Sequence, residues 1–313
     1  MKRLLLSLLL AVLPCASAAP ALQVHNIAGD FAAFWDATQA LPPDQRVAAF
    51  KQQIAPLFPD FYGVARYGGE RTQEEQDAII ARALERYAPQ RQLYLDKVAG
   101  FGQALPRHTA SFMQAFPDFH QTVDIWLLHS LGEMDGGPRD FHGRQYLIFG
   151  ADVMTSAHGD SDEAAFFHHE LFHVYQQAVS PECEGQGMWQ PLWREGLATY
   201  VSKQLNPSAN DKEMLLDFPT GSVAFTRAHL YASLANLEPA LEQHGEQYHT
   251  ALFRMKGDQS GLAARRGYYL GYLVAQELGR SRSLRQLAAL NCADAHKLVV
   301  EAVRKLKEAA APR

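Results

Sequence analysis

The 313-residue chain has little cysteine, little net charge and a single long apolar run, and each shortage narrows what the protein can be. Three cysteines are too few for a disulfide-scaffolded miniprotein or a cysteine-rich metal knot. Lysine and arginine number 29 against 34 acidic residues, for a net charge of -5. Without a basic excess or block, no nucleic-acid partner is expected. No repeat, low-complexity tract or Pro/Gly/Ser linker divides the chain. Gly-x-Ser-x-Gly, phosphate-loop and dinucleotide signatures are also missing. What is present, 47% hydrophobic and 11% aromatic side chains, suffices for a sizeable core and excludes a disordered chain.

The apolar run stands at the start. Met1-Lys2-Arg3 is followed by Leu4 to Leu13, broken only by Ser7, and then by Ala16-Ser17-Ala18. About ten apolar residues are half of what a spanning helix needs, so residues 1–18 read as a secretory signal peptide cleaved after Ala18. Pro14 directly before Cys15 suits lipid attachment at that cysteine poorly. The mature protein is therefore expected in the periplasm or outside the cell, without stable membrane insertion. Cleavage leaves Cys183 and Cys292 where disulfides persist. They form either one bridge closing a long loop or two separate apolar thiols.

Residues 19–313 read as one domain of the α+β class, mostly helical, with a helical part over 19–120 and a second part over 121–313. Asp30 suits an N-cap before Phe31, Phe34 and Trp35, and Pro42-Pro43 opens the segment holding Val47, Phe50 and Ile54. Thr72 and Glu75 have capping-box spacing, and Ile79, Ile80, Ala83, Leu84 and Tyr87 continue an apolar stripe up to Pro89. Between 122 and 154 the pattern changes. Val123, Ile125 and Leu127 alternate with other residues, Asp135-Gly136-Gly137-Pro138 supplies turn residues, and Gln145 to Phe149 is a second β-leaning run. A small antiparallel sheet is predicted there. Helices resume from about Ser161 and end in the stripe Leu298, Val299, Ala302, Val303 and Leu306.

The chemically informative segment is Phe166-Phe167-His168-His169-Glu170-Leu171-Phe172-His173, preceded by Asp160, Ser161, Asp162 and Glu163, which suit a helix start. Four residues turn a helix through about 400°, so His169 and His173 point the same way and reach one metal ion. Glu170 lies about 100° round, able to approach a water at the metal without ligating it. Downstream, Leu192-Trp193-Arg194-Glu195-Gly196-Leu197-Ala198 reads as a partly buried helix whose Glu195 completes a His₂Glu set. Three protein ligands leave a fourth tetrahedral position open, the arrangement of a catalytic zinc site. With that set complete, His168, His142 and His158 read as supporting or surface histidines.

HHELFHVYQ followed by LWREGLATYVS resembles the gluzincin zinc metallopeptidases, and the second segment is particularly similar to the glutamate-bearing helix of the aminopeptidase N family. The size, the signal sequence and Gly267-Tyr268-Tyr269-Leu270-Gly271-Tyr272 also resemble compact predicted zinc proteases of unknown function. The likeness covers about residues 160–205 and 266–278. It implies a zincin-like core, one Zn²⁺ per chain on His169, His173 and Glu195, Glu170 as general base, and a peptide or protein substrate. It also implies Tyr268 as the hydroxyl that steadies the oxyanion, with Tyr269 and Tyr272 as rivals on the same helix. One departure is clear: Gly150-Ala151-Asp152-Val153-Met154 lacks the glutamate with which aminopeptidases hold a free amine. Residues 145–152 are expected to form an edge strand that pairs with extended substrate. The alternative to a peptidase is a zinc-binding protein that holds peptides without cleaving them.

Overall fold

The computed structural model describes residues 24–120, 123–180 and 187–312. The expected signal peptide over 1–18, Cys15 and Cys183 lie outside them. In chain order the elements are β1 (Val24–Asn26), α1 (Ala28–Thr38), α2 (Pro43–Gln53), α3 (Pro59–Tyr62), α4 (Gln73–Tyr87) and α5 (Arg91–Ala115). Next come β2 (Asp124–Leu128), β3 (Gly136–Phe141), β4 (Arg144–Gly150), α6 (Ala151–Val153), α7 (Ala164–Val179) and α8 (Trp189–Leu205). The chain closes with α9 (Ser222–Ala228), α10 (Leu230–Ala240), α11 (Glu246–Phe253), α12 (Arg266–Leu278), α13 (Leu284–Ala288) and α14 (Cys292–Ala309). Among the described residues, no helix is long and apolar enough to cross a membrane.

Local chemistry explains several boundaries. The Thr72 hydroxyl accepts from the Glu75 amide at 3.2 Å while the Glu75 carboxylate accepts from the Thr72 amide at 2.8 Å, so both halves of the capping box start α4. Pro43 occupies the first turn of α2, where its missing N–H costs nothing. Asp30 does not cap α1. It lies in the first turn, and the Asn26 side chain accepts from the Ala28 amide at 3.1 Å instead.

The sheet corrects the expected topology. Its order is β1-β2-β4-β3, with β1 and β4 both parallel to β2 and only β3 antiparallel to β4, so it is mixed. The chain leaves β2, crosses to the far edge as β3, and returns to the middle as β4. The reversal is at His142-Gly143, whose φ values of 57° and 78° suit a two-residue hairpin, and not at Asp135-Gly136-Gly137-Pro138. Gly136 and Pro138 lie within β3, paired with Phe149 and Leu147. A proline is tolerated there because an edge strand has one side without ladder bonds. Residues 144–150 are thus an interior strand, and the edge strands are β1 and residues 136–141.

Helix α7 packs on α5, on α8 and on the β3 edge, and α8 lies between α7 and α12. One continuous core runs from Ala28 and Phe31 of α1, through Leu147 and Phe149 of β4, to Val299 and Val303 of α14. The α8–α12 contact is unusually close. A Cβ on Gly196 would stand 2.2 Å from the Gly271 carbonyl carbon, and one on Gly271 would stand 2.4 Å from the Leu192 oxygen. Only glycine permits two helix backbones to meet in this way.

Candidate metal centre

His169 and His173 leave α7 one turn apart and Glu195 arrives from α8, so three donor atoms converge. Nε2 of His169 and Nε2 of His173 are 3.0 Å apart, and Oε2 of Glu195 is 3.3 Å from the first and 3.5 Å from the second. Zinc ligands about 2.0–2.1 Å from the ion at tetrahedral angles sit about 3.3 Å from one another. The donor set therefore fits a zinc-sized cation. Among the described residues it is the one group of three or more His, Cys, Asp or Glu with such convergence.

Exposure gives the site a direction. The His173 side chain is 5% exposed, whereas His169 and Glu195 are 16% and 25% exposed, so the cluster is open on their side. Burial favours the neutral, lone-pair-bearing form of His173. Burial opposes the charge of Glu195 also, yet the His173 and His169 rings hold its carboxyl well below the usual range.

Glu170 lies beside the set and outside it. Burial pushes its pKa up to about 8, and the neighbouring carboxylates of Asp135 and Glu195 add to the rise. It touches the edge strand: a Cβ on Gly136 would lie 3.0 Å from Cγ of Glu170, and one on Gly137 would lie 3.5 Å from its Oε2. The glycines that read as a turn let the β3 backbone pass directly over the carboxylate.

Of the three tyrosines on α12, only Tyr268 is placed where Glu195, Asp135 and Glu170 act on it; burial and then Glu195 push its hydroxyl pKa up. The Tyr269 hydroxyl accepts from Arg227 at 3.2 Å and its ring packs with Met214, Leu216 and Val223. The Tyr272 hydroxyl accepts from Gln276 at 3.1 Å. The α8–α12 backbone contact brings Tyr268 close, because Gly196 adjoins Glu195 and Gly271 follows Tyr268 by less than one turn.

The other histidines are not donors. His168 is 3% exposed, with Ser111 Oγ 2.6 Å from its Nε2 and Asn206 Nδ2 2.8 Å from its Nδ1. His158 is buried with its Nε2 3.3 Å from Asp135, and the exposed His142 stands 3.7 Å from Asp60. Reading the sequence missed Ser111, Asn206 and Asp135, whose partners lie tens of residues away. It missed a further group as well. Among the described residues His173 Nδ1, Gln176 Oε1 and Trp189 Nε1 are buried without a partner, and all three residues line one cavity of about 30 Å³, room for a single water. Gln176 had a signal, being three residues past His173 on the same helix face.

No protein-family model, curated protein or solved structure matches this chain.

Proposed function

We propose that the protein is a zinc-dependent peptidase with a zincin-like core, acting in the periplasm or outside the cell. The observation that carries this reading is the triangle of His169, His173 and Glu195 with edges of 3.0 to 3.5 Å, flanked by the non-ligating Glu170. A binding site alone has no need of a buried base beside an open coordination position. The disulfide linkage of Cys292 supports an oxidising compartment. Its pairing with Cys183 falls outside the described residues.

His169, His173 and Glu195 would hold the ion. When bound, zinc supplies Lewis acidity toward the substrate carbonyl and makes water more acidic. Glu170 takes a proton from the attacking water and passes it to the leaving amine; burial, which raises its basicity, suits both steps. The Tyr268 hydroxyl donates a hydrogen bond to the developing oxyanion. The unpaired side of β3 accepts extended substrate by strand addition, holding the scissile bond over Glu170.

Metal analysis of the purified protein beside His169→Ala, paired with cleavage of a mixed peptide library with and without chelator, tests the reading. About one zinc per wild-type chain, lost in the variant, with chelator-sensitive cuts is the expected result. Bound zinc without turnover would favour a peptide-holding protein, and no zinc in either protein would overturn the site.

A further inference from the structure

A second cavity, of about 320 Å³, opens between α4 and the loop that joins β2 to β3. Its charged lining is four arginines, Arg66, Arg71, Arg82 and Arg86, against the single carboxylate of Glu133. Glu133 is already engaged: Arg66 forms an ion pair with it, and the Tyr67 hydroxyl donates to it at 2.9 Å. Asp152, beneath the loop, is engaged too, accepting from the Ser130 amide at 2.6 Å and the Gly132 amide at 2.7 Å. Arg71 donates to the neutral Gln76 at 3.0 Å, and the side chains of Arg82 and Arg86 have no hydrogen bond or ion pair with any described residue.

The guanidinium groups at the inner end are fixed in place. The Arg66 side chain is 8% exposed, packed 4.3 Å over the Phe61 ring and 4.4 Å over the Tyr67 ring, and its Nε is buried without a partner among the described residues. Arg71 also lies 3.7 Å from the centre of the Tyr67 ring. Gln76, Ile79, Arg82 and Arg86 recur on one face of α4 and form the opposite wall. Like charges gathered around a hollow repel one another, and an oxyanion relieves that repulsion with paired, charge-assisted hydrogen bonds.

We propose that this cavity is a binding site for a carboxylate or phosphate group, separate from the metal centre. The group has two possible sources, a free anion or an acidic side chain or terminus of the bound peptide. Geometry joins the cavity to the edge strand. Glu133 precedes Gly136, which touches Glu170, by three residues, and Arg139 of β3 acts electrostatically on both Arg66 and Glu170. A chain laid along β3 therefore runs toward the arginines. The peptide source rests on the peptidase reading; the anion site does not.

The test is titration calorimetry of the Glu170→Gln protein, with and without Arg82→Gln/Arg86→Gln, against inorganic phosphate and against an acidic peptide and its neutral analogue. Both arginines are exposed, so the double variant is expected to fold, and its thermal midpoint checks that. Binding of phosphate or of the acidic peptide, weakened at least tenfold in the double variant with zinc content unchanged, supports the site. An acidic peptide that phosphate displaces assigns the substrate chain, and phosphate binding alone assigns a free anion. If neither probe binds, or both bind the double variant equally well, the proposal is overturned. Because binding is read without turnover, a failed peptidase reading leaves this measurement interpretable.

Discussion

Two histidines adjacent in sequence leave α7 in different directions and meet opposite surroundings. His168 points to α5 and the end of α8, where Ser111 and Asn206 satisfy both of its ring nitrogens. Asn206 donates to Nδ1, which fixes the proton on Nε2 and aims it at the Ser111 oxygen. His169 faces His173 and Glu195 across 3.0 and 3.3 Å, three atoms whose natural role is to give electron pairs. One nitrogen-bound proton can serve part of that cluster, but a cation serves all of it. A saturated polar group such as His168 stabilises a fold, whereas the convergent donors of His169, His173 and Glu195 are the arrangement on which the proposed metal site rests.

Variants that break this contrast are ordered by the size of their effect. Glu170→Gln is expected to lower peptide cleavage by about a hundredfold or more, in the range for loss of a general base, while zinc content stays at the wild-type level. Cleavage retained at the wild-type rate would remove Glu170 from the mechanism. Gly271→Ala comes next, since its methyl would meet the Leu192 oxygen at 2.4 Å. It should cost about 1–3 kcal/mol of stability in a denaturant titration, as overpacking does, with activity falling more than folding as Tyr268 shifts from Glu195.

His168→Ala should destabilise by about 2 kcal/mol, leaving Ser111 and Asn206 short of a buried partner, yet keep a full complement of zinc. Loss of the metal in a folded His168→Ala protein would erase the distinction between the two histidines. The effect of pH is separate from these substitutions. Burial lowers His168 and pulls His108 down to about 4, so the unfolded chain binds more protons than the folded one between that value and about 6.5. Stability from these groups is complete above about pH 6.5 and is lost as pH falls through that window. Unfolding midpoints from pH 7 to 4.5 should show the decline, and His108→Gln should flatten it.

The legibility of the molecule follows the range of the interactions. Helices read well because their signals are local: the Thr72/Glu75 cap and the stripes of α4 and α14 lie where their spacing puts them. The convergence of His169 with His173 is also local, one turn of one helix, and Glu195 needed only a second helix with its carboxylate turned inward. The sheet was legible as strands but not as a topology. Three residues of β1 carry no periodic signal, and their parallel pairing with β2 spans about a hundred residues. Asp135-Gly136-Gly137-Pro138 has turn composition for another reason, the passage of a bare backbone over Phe166 and Glu170 at the sheet edge. Nor does periodicity separate Tyr268 from Tyr269 and Tyr272, because the choice depends on which helix meets α12 and at what depth.

That depth has a mechanical consequence. With backbone against backbone at Gly196 and Gly271, α12 cannot be pressed nearer to α8, so this crossing sets how deep the helix lies. Tyr268 lies roughly 4.5 Å along the axis on one side of this crossing and Leu278 roughly 10 Å on the other, at 1.5 Å per residue. Beyond that far end Gly279 lies against the Tyr200 ring, a second glycine contact with α8. Two glycine contacts with α8 thus set the depth of α12, and with it the position of the Tyr268 hydroxyl.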